Sequence, residues 1–239
     1  MGNNSITHYG VLGMRWGVHR ASPRNDYKNL RNAKIANMES WGKDPTHNIL
    51  YVTGYSGSGK STMAKQLADP KTNVIHLDPY FEKMDKNVAA NIQDKEFGLF
   101  LEKNFPGYRT IAKAVKPERY SKEWWIKVDT LMEQTEKFAV KQFYDDKKVI
   151  VEGVQLHDET TYPDKKFFND KPLIITGTNP ITSFFRATKR DGFSNKVSIQ
   201  SAKEYTQWYI NTYKNLNNLS KHAKTKVGSE WVKNYLSTH

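Results

Sequence analysis

The chain contains no cysteine, which excludes disulfides, thiolate metal sites and a cysteine nucleophile. No stretch approaches the ~18 consecutive apolar residues of a membrane-spanning helix. The first twenty residues also lack the apolar core of a secretory signal. Met1-Gly2-Asn3-Asn4-Ser5-Ile6 opens like an N-myristoylation site, but Ile6 stands where that signal needs Ser or Thr. No membrane partner is therefore expected. Hydrophobic residues are scarce, 37% of 239, and the mean hydropathy is -0.77. Aromatics, by contrast, reach 13%, so Trp, Tyr and Phe are expected to build much of the core. The length suits one large domain, or one domain with an appendage.

Acidic residues are outnumbered, 25 Asp and Glu against 37 Lys and Arg, for a net charge of +12. The excess is uneven. Residues 1–48 hold seven basic and three acidic residues, and residues 184–239 hold ten and three. Residues 49–183 are nearly balanced, at twenty and nineteen. Basic flanks around a neutral middle point to a polyanion-binding margin or to a lid that closes over phosphates.

Residues 1–20 have no hydrophobic period and read as an irregular arm. Ser22-Pro23 resembles a helix N-cap followed by a favoured first residue. Leu30, Ala33, Ile35, Met38 and Trp41 form a rough stripe, which predicts a helix over 22–41 and then a breaker at 42–47. A domain boundary is placed near 48. Beyond it an α/β pattern begins, with short apolar runs at 49–53, 73–77, 149–151 and 173–176. Each run is too short for a helix and lacks alternation, as expected of parallel strands buried on both faces. A helix is predicted at 60–68. The long interval 82–147 reads as a mainly helical insert, with Trp125, Val128, Leu131 or Met132, and Phe138 at helical spacing over 121–144. Ser201-Ala202-Lys203-Glu204 reads as a capping box. Tyr205, Trp208, Tyr209, Tyr213 and Leu216 follow it on one helical face.

The sharpest signal is Gly54-Tyr55-Ser56-Gly57-Ser58-Gly59-Lys60-Ser61-Thr62, which fits G-x-x-x-x-G-K-[ST] between a strand and a helix. Gly54, Gly57 and Gly59 allow a tight backbone turn whose N–H groups, with those of Ser56 and Ser58, converge on a polyphosphate at a helix N-terminus. Lys60 is expected to reach the β- and γ-phosphates and the Ser61 hydroxyl to ligate Mg²⁺, with Thr62 completing the loop. Asp78 ends the second strand in His76-Leu77-Asp78-Pro79-Tyr80-Phe81, and Glu152 ends the third. In an open parallel sheet ligands lie beyond the carboxyl ends of the strands. A carboxylate at either place can take a proton from a hydroxyl or hold Mg²⁺. Arg186 and Arg190, one helical turn apart, share a face from which to close over phosphates.

Taken together, the glycine loop, Asp78-Pro79-Tyr80-Phe81, Val149-Ile150-Val151-Glu152-Gly153-Val154 and the Arg186, Lys189, Arg190, Asp191 set resemble the P-loop nucleoside-kinase group. The nearest likeness is to uridine-kinase and phosphoribulokinase-like enzymes. The similarity spans roughly 49–80 and 148–192. It implies a P-loop NTPase fold: a doubly wound, mostly parallel sheet, here with a large helical insert at 82–147 and a helical C-terminal region. It further implies ATP with Mg²⁺ and phosphoryl transfer to a hydroxyl of a nucleoside, nucleotide or similar small molecule. Asp78 would then be the general base, and Arg186 and Arg190 the arginines of a lid at 183–196. The insert lies where acceptors bind; Tyr80 and Phe81 just before it and Tyr108, Trp124 and Trp125 within it are base-stacking candidates, and Arg109 is a candidate phosphate ligand.

His8-Tyr9-Gly10-Val11-Leu12-Gly13-Met14-Arg15-Trp16-Gly17-Val18-His19-Arg20 resembles a segment, H-Y-G-x-x-G-M-[KR]-W-G, found near the termini of some tailed-phage head-associated proteins. That likeness implies a docking peptide for a capsid or head protein, anchored by Trp16 between Arg15 and Arg20. It also implies a phage-encoded protein in the host cytoplasm, packaged in the virion if the arm docks. Two alternatives stand beside the small-molecule kinase. One has the same chemistry acting on a polynucleotide end or a modified base in DNA, which the basic flanks and aromatics suit. The other is a virion-associated nucleotide-binding structural protein.

Overall fold

The computed structural model describes residues 28–82, 94–105, 122–157, 167–190 and 199–232. The arm at 1–20, Tyr108, Arg109 and the lid beyond Arg190 lie outside the described residues, as do the side chains of Phe81, Trp124, Trp125, Arg190 and Tyr205.

Six strands form one mixed sheet: β1 Lys34–Ala36, β2 Ile49–Thr53, β3 Thr72–His76, β4 Lys148–Glu152, β5 Leu173–Ile175 and β6 Lys226–Val227. Their order is β3-β4-β2-β5-β1-β6. The four strands foreseen in the sequence are the parallel part, with Val52 opposite Glu152 and Ile174, and His76 opposite Glu152. All of their carboxyl ends therefore share one edge. β1 and β6 extend the sheet antiparallel, which makes it mixed.

Alternation along the strands splits the core in two. Tyr51, Ile75, Val149, Val151, Leu173 and Ile175 face one side. Leu50, Val52, Val74, Ile150 and Ile174 face the other. The first side is covered by α4 Lys95–Asn104, α5 Lys122–Tyr144 and α7 Ile199–His222, through residues such as Phe97, Leu131, Phe138, Tyr209 and Leu216. The second is covered by α2 Lys60–Leu67 and α1 Lys28–Arg31, through Met63, Ala64 and Leu30. Helices α3 Leu77–Glu82 and α6 Pro180–Arg190 lie at the carboxyl edge of the sheet.

Several expectations are corrected. The helix over 22–41 is, within its described part, α1 followed by β1 and a 3-10 turn at Met38–Ser40. Its five stripe residues do reach or pack on the core, but they do so as a strand and turns. Trp41 donates Nε1–H to the Val149 carbonyl at 3.2 Å. Within the described residues before 48, Lys34–Ala36 is thus a strand of the sheet rather than part of a helix. Asp78 sits in the first turn of α3 rather than at a strand end, because β3 stops at His76. α7 is already helical at Ile199, two residues ahead of the expected Ser201 cap. Tyr213 is 54% exposed, so the aromatic face of α7 buries Tyr209 and Leu216 but not Tyr213. Tyr80 is 1% exposed, with its ring edge-on to Phe97; it is core and cannot stack on a ligand.

Candidate functional site

The glycine loop lies between β2 and α2 at the carboxyl edge. Gly59 caps α2 in the left-handed region, at φ 90, and no side chain caps that helix end. The first-turn amides of α2 therefore stay available to an outside acceptor. Gly57 has φ 77, and a Cβ there would lie 2.6 Å from the Ser183 carbonyl oxygen and 3.0 Å from the Ala187 nitrogen. Helix α6 thus rests directly on the loop, and only glycine admits it. Inside the turn, the Ser58 amide donates to the Tyr55 carbonyl at 3.1 Å. Lys60, buried, donates Nζ–H to the same oxygen at 3.0 Å. Distant elements pin the loop from outside. Thr176 Oγ1 donates to Ser58 Oγ at 2.5 Å, and Thr178 Oγ1 to the Ser58 carbonyl at 2.7 Å. From α7, Tyr209 donates its hydroxyl to the Ser56 carbonyl at 3.0 Å and stacks on Tyr55 at 5.6 Å.

Ser61, in the first turn of α2, donates Oγ–H to Glu152 Oε1 at 2.8 Å. His76 donates Nδ1–H to that same oxygen at 2.6 Å. Glu152 Oε2 and His76 Nε2 are buried with no hydrogen-bond partner among the described residues. Burial pushes the Glu152 carboxyl up, but the His76 hydrogen bond, the Lys60 charge and the Ser61 hydroxyl outweigh it and hold the group below the ordinary range. Burial pulls His76 down, and its bond to Glu152 reverses that, leaving it raised. Asp94 Oδ1 accepts from the His76 amide at 3.3 Å; burial drives this carboxyl up to about 7. His157, with Nδ1 3.4 Å from Thr53 Oγ1, is pushed down to about 3 by burial and by the Lys60 charge. It is a neutral imidazole.

Asp78 is half-buried and accepts from Gln155 Nε2 at 3.0 Å, two residues beyond the His76 that meets Glu152. Arg186 is exposed, and its Cβ lies 3.3 Å from where a Gly57 Cβ would be. Arg190 closes α6 one turn later. The predicted residues Gly54, Ser56, Gly57, Ser58, Gly59, Lys60, Ser61, Thr62, Asp78, Glu152 and Arg186 therefore gather at one edge of the sheet. His76, Asp94, Gln155, His157, Thr176, Thr178 and Tyr209 were not foreseen as site residues. For His76 a signal existed, since it is the last residue of the strand that leads to Asp78. Thr176, Thr178 and Tyr209 reach the loop from far along the chain, 118 residues for Thr176 and Ser58, and leave no local trace, while Asp94, Gln155 and His157 meet His76, Asp78 and Thr53 instead.

Beside the loop opens a pocket of about 460 Å³. It runs from Ser58 and Gly59 along Thr62 and Met63 of α2 to Asn29 and Asn32, with the turn after β5 and Arg186 as its other wall.

For a divalent cation the structure offers the Ser61 hydroxyl and the unpartnered Glu152 Oε2. Among the described residues no cluster of three or more His, Cys, Asp or Glu stands as a metal site. That donor set fits Mg²⁺, which keeps several waters and takes one or two protein ligands plus substrate phosphates. It does not fit a zinc-like cage.

A family model described as "Family of unknown function (DUF7211)" matches residues 3–23, a stretch that contains the Trp16 segment. No curated protein and no solved structure matches the chain.

Proposed function

We propose that the protein is an ATP-dependent phosphotransferase of P-loop NTPase fold, which moves the γ-phosphoryl group to a hydroxyl of a nucleoside, nucleotide or similar small molecule. The observation that carries this reading is the tie between loop and strand end: Ser61 donates to the buried Glu152, whose second oxygen has no hydrogen-bond partner among the described residues. The strand order supports it as well. β2 carries the loop, its neighbours β4 and β5 are both parallel to it, and the chain passes over β4 to reach β3. A loop at such a switch point is where open α/β sheets bind ligands.

In this reading the loop amides and the N-terminus of α2 hold the phosphates. On nucleotide binding Lys60 exchanges its bond to the Tyr55 carbonyl for phosphate oxygens and offsets their charge. Ser61 and Glu152 would hold Mg²⁺ alongside the phosphates, where the ion would supply charge neutralisation. Asp78, oriented by Gln155, accepts the proton of the acceptor hydroxyl. That oxygen bonds to the γ-phosphorus as the bond to the β–γ bridging oxygen breaks, and ADP leaves. Arg186, and Arg190 behind it, cover the transferring group from α6.

Incubation with Mg²⁺ and γ-labelled ATP against separate pools of nucleosides, nucleotides, sugars, single-stranded DNA and duplex DNA tests the proposal. Label is expected in a small-molecule pool. Label in DNA alone would move the acceptor to a polynucleotide or a modified base, and label in no pool would refute a kinase. The resemblance of residues 8–20 to the H-Y-G-x-x-G-M-[KR]-W-G segment motivates one addition. The N-terminal arm reads as a separable docking module for a capsid or head protein, which would carry this domain into a virion.

A further inference from the structure

Helix α7 carries an outward face that no role above absorbs. We infer that this face, continued by Lys34 of β1, binds a single strand of nucleic acid, with lysine ammonium groups on the phosphates and the Tyr213 ring against a base. The inference concerns a surface outside the glycine loop and does not depend on the phosphate-binding reading of that loop.

At 3.6 residues per turn, Ile210, Tyr213, Lys214, Asn217 and Lys221 fall within about 100° of one another around α7. Ile210 is 45% exposed and Tyr213 54%; Lys214 and Lys221 are exposed as well, and Asn217 is half-buried. The inward face holds Tyr209, Thr212, Leu216 and Ala223, all buried.

The sheet brings β1 to the same place. Ile35 packs on the α2 side and Ala36 on the α7 side, so alternation turns Lys34 toward α7. Its Nζ donates to Asn217 Oδ1 at 3.4 Å, and an ammonium group has three hydrogens to give. Lys34 stands opposite Ile175, which stands opposite Thr53. The face therefore begins at the carboxyl edge, in the row of the residue just before the glycine loop, and runs down α7 from Tyr213 to Lys221.

Charge singles this face out. Exposed lysines are ordinary, and elsewhere acids stand among them: Lys71 meets Asp146, Lys137 meets Glu133 at 2.6 Å, and Lys147 meets Glu96 at 2.7 Å. Lys34, Lys214 and Lys221 meet no carboxylate among the described residues. Residues 205–229 contain no Asp or Glu, and neither do residues 27–38. Helix α6, which packs on α7 through the rings of Phe184 and Tyr209 at 5.5 Å, has none either. Unmatched ammonium groups on one face attract a polyanion. An acidic protein would answer the charge alone. The exposed Tyr213 ring, flanked by Ile210, adds a stacking platform, which is how basic grooves hold single strands. A duplex keeps its base faces inside the stack and cannot use that ring.

Fluorescence anisotropy of an end-labelled oligothymidylate, alone and as its duplex with oligoadenylate, tests this on the full chain over a range of salt. Two triple variants carry the same change of net charge: Lys34→Gln/Lys214→Gln/Lys221→Gln on the face, and Lys71→Gln/Lys137→Gln/Lys147→Gln away from it. The parent should bind the single strand, and bind it more tightly than the duplex. The first triple should weaken that binding at least ~10-fold and make the log–log salt dependence shallower by about 2, at ~0.7 per phosphate contact. The second triple should do neither. Tyr213→Ala should weaken binding at least ~5-fold, the lower end for loss of one stacked base, and leave the salt slope unchanged. All seven substitutions fall on surface side chains, and thermal midpoints close to that of the parent verify that each variant is folded. The inference is overturned if the parent does not bind the oligonucleotide, if both triples weaken it equally, if Tyr213→Ala has no effect, or if the duplex binds more tightly.

Discussion

Two aspartates near the loop are held in different ways, and each makes a separate prediction. Asp78 is half-buried, with one oxygen bonded to Gln155, and its proposed work is to accept a proton. Asp78→Asn keeps the shape and removes the basicity. It should therefore lower kcat by at least ~10²-fold, the usual scale for loss of a general base, while nucleotide affinity stays close to that of the parent. Steady-state kinetics beside calorimetry reads both, and an intact kcat refutes the assignment. Asp94 is 3% exposed, and burial lifts its carboxyl from 3.8 to about 7. Between those values the folded chain holds a proton that the unfolded chain has released. Stability is consequently lost as pH rises through that window. Asp94→Asn, whose amide oxygen can still accept from the His76 amide, removes this loss. The variant should match the parent near pH ~3.5 and exceed it by on the order of 1–3 kcal/mol near pH ~8. Urea midpoints across pH measure it, and a difference that does not grow with pH contradicts the account.

At the scale of elements, the loop is braced by pieces that meet it only in the folded chain. α6 lies on Gly57, the turn after β5 bonds to Ser58, and α7 contributes Tyr209. Tyr209→Phe keeps the stacking on Tyr55 and deletes the hydroxyl that satisfies the Ser56 carbonyl. It should cost about 1 kcal/mol of stability and weaken nucleotide binding, as denaturation and titration would register; an unchanged affinity would mean that α7 does not help to hold the loop. Legibility in the sequence follows from the same packing. β2, β3, β4 and β5 were readable because both faces of each are covered, which makes each a run of apolar residues. β1 reads as helix in the sequence because Leu30, Ala33, Ile35, Met38 and Trp41 recur at near-helical intervals, whereas a turn, a strand and a 3-10 turn carry them inward. β6 has two residues, both exposed, so no pattern could announce it. Of the candidate site, the glycine loop is legible because its spacing is local, Asp78 and Glu152 because each stands at the end of a short apolar run, and Arg186 because it lies one helical turn from Arg190. His76 on Glu152 depends on a pairing 76 residues apart, which only the sheet register creates.

For the whole molecule, the proposed chemistry rests on the described residues, while the family match covers residues 3–23. Deletion of residues 1–20 should leave nucleotide binding and the thermal midpoint within error of the parent, while any association with capsids is lost; a truncated protein that no longer binds nucleotide would contradict the docking-arm reading. The account as a whole depends on whether the turn running into Lys60 receives phosphates. Amide chemical-shift mapping of isotope-labelled protein titrated with tripolyphosphate tests this most directly. The largest shifts should fall on Gly57, Ser58, Gly59, Lys60 and Ser61, and should disappear in Lys60→Ala. Shifts centred elsewhere, with those amides unmoved, would contradict the central claim.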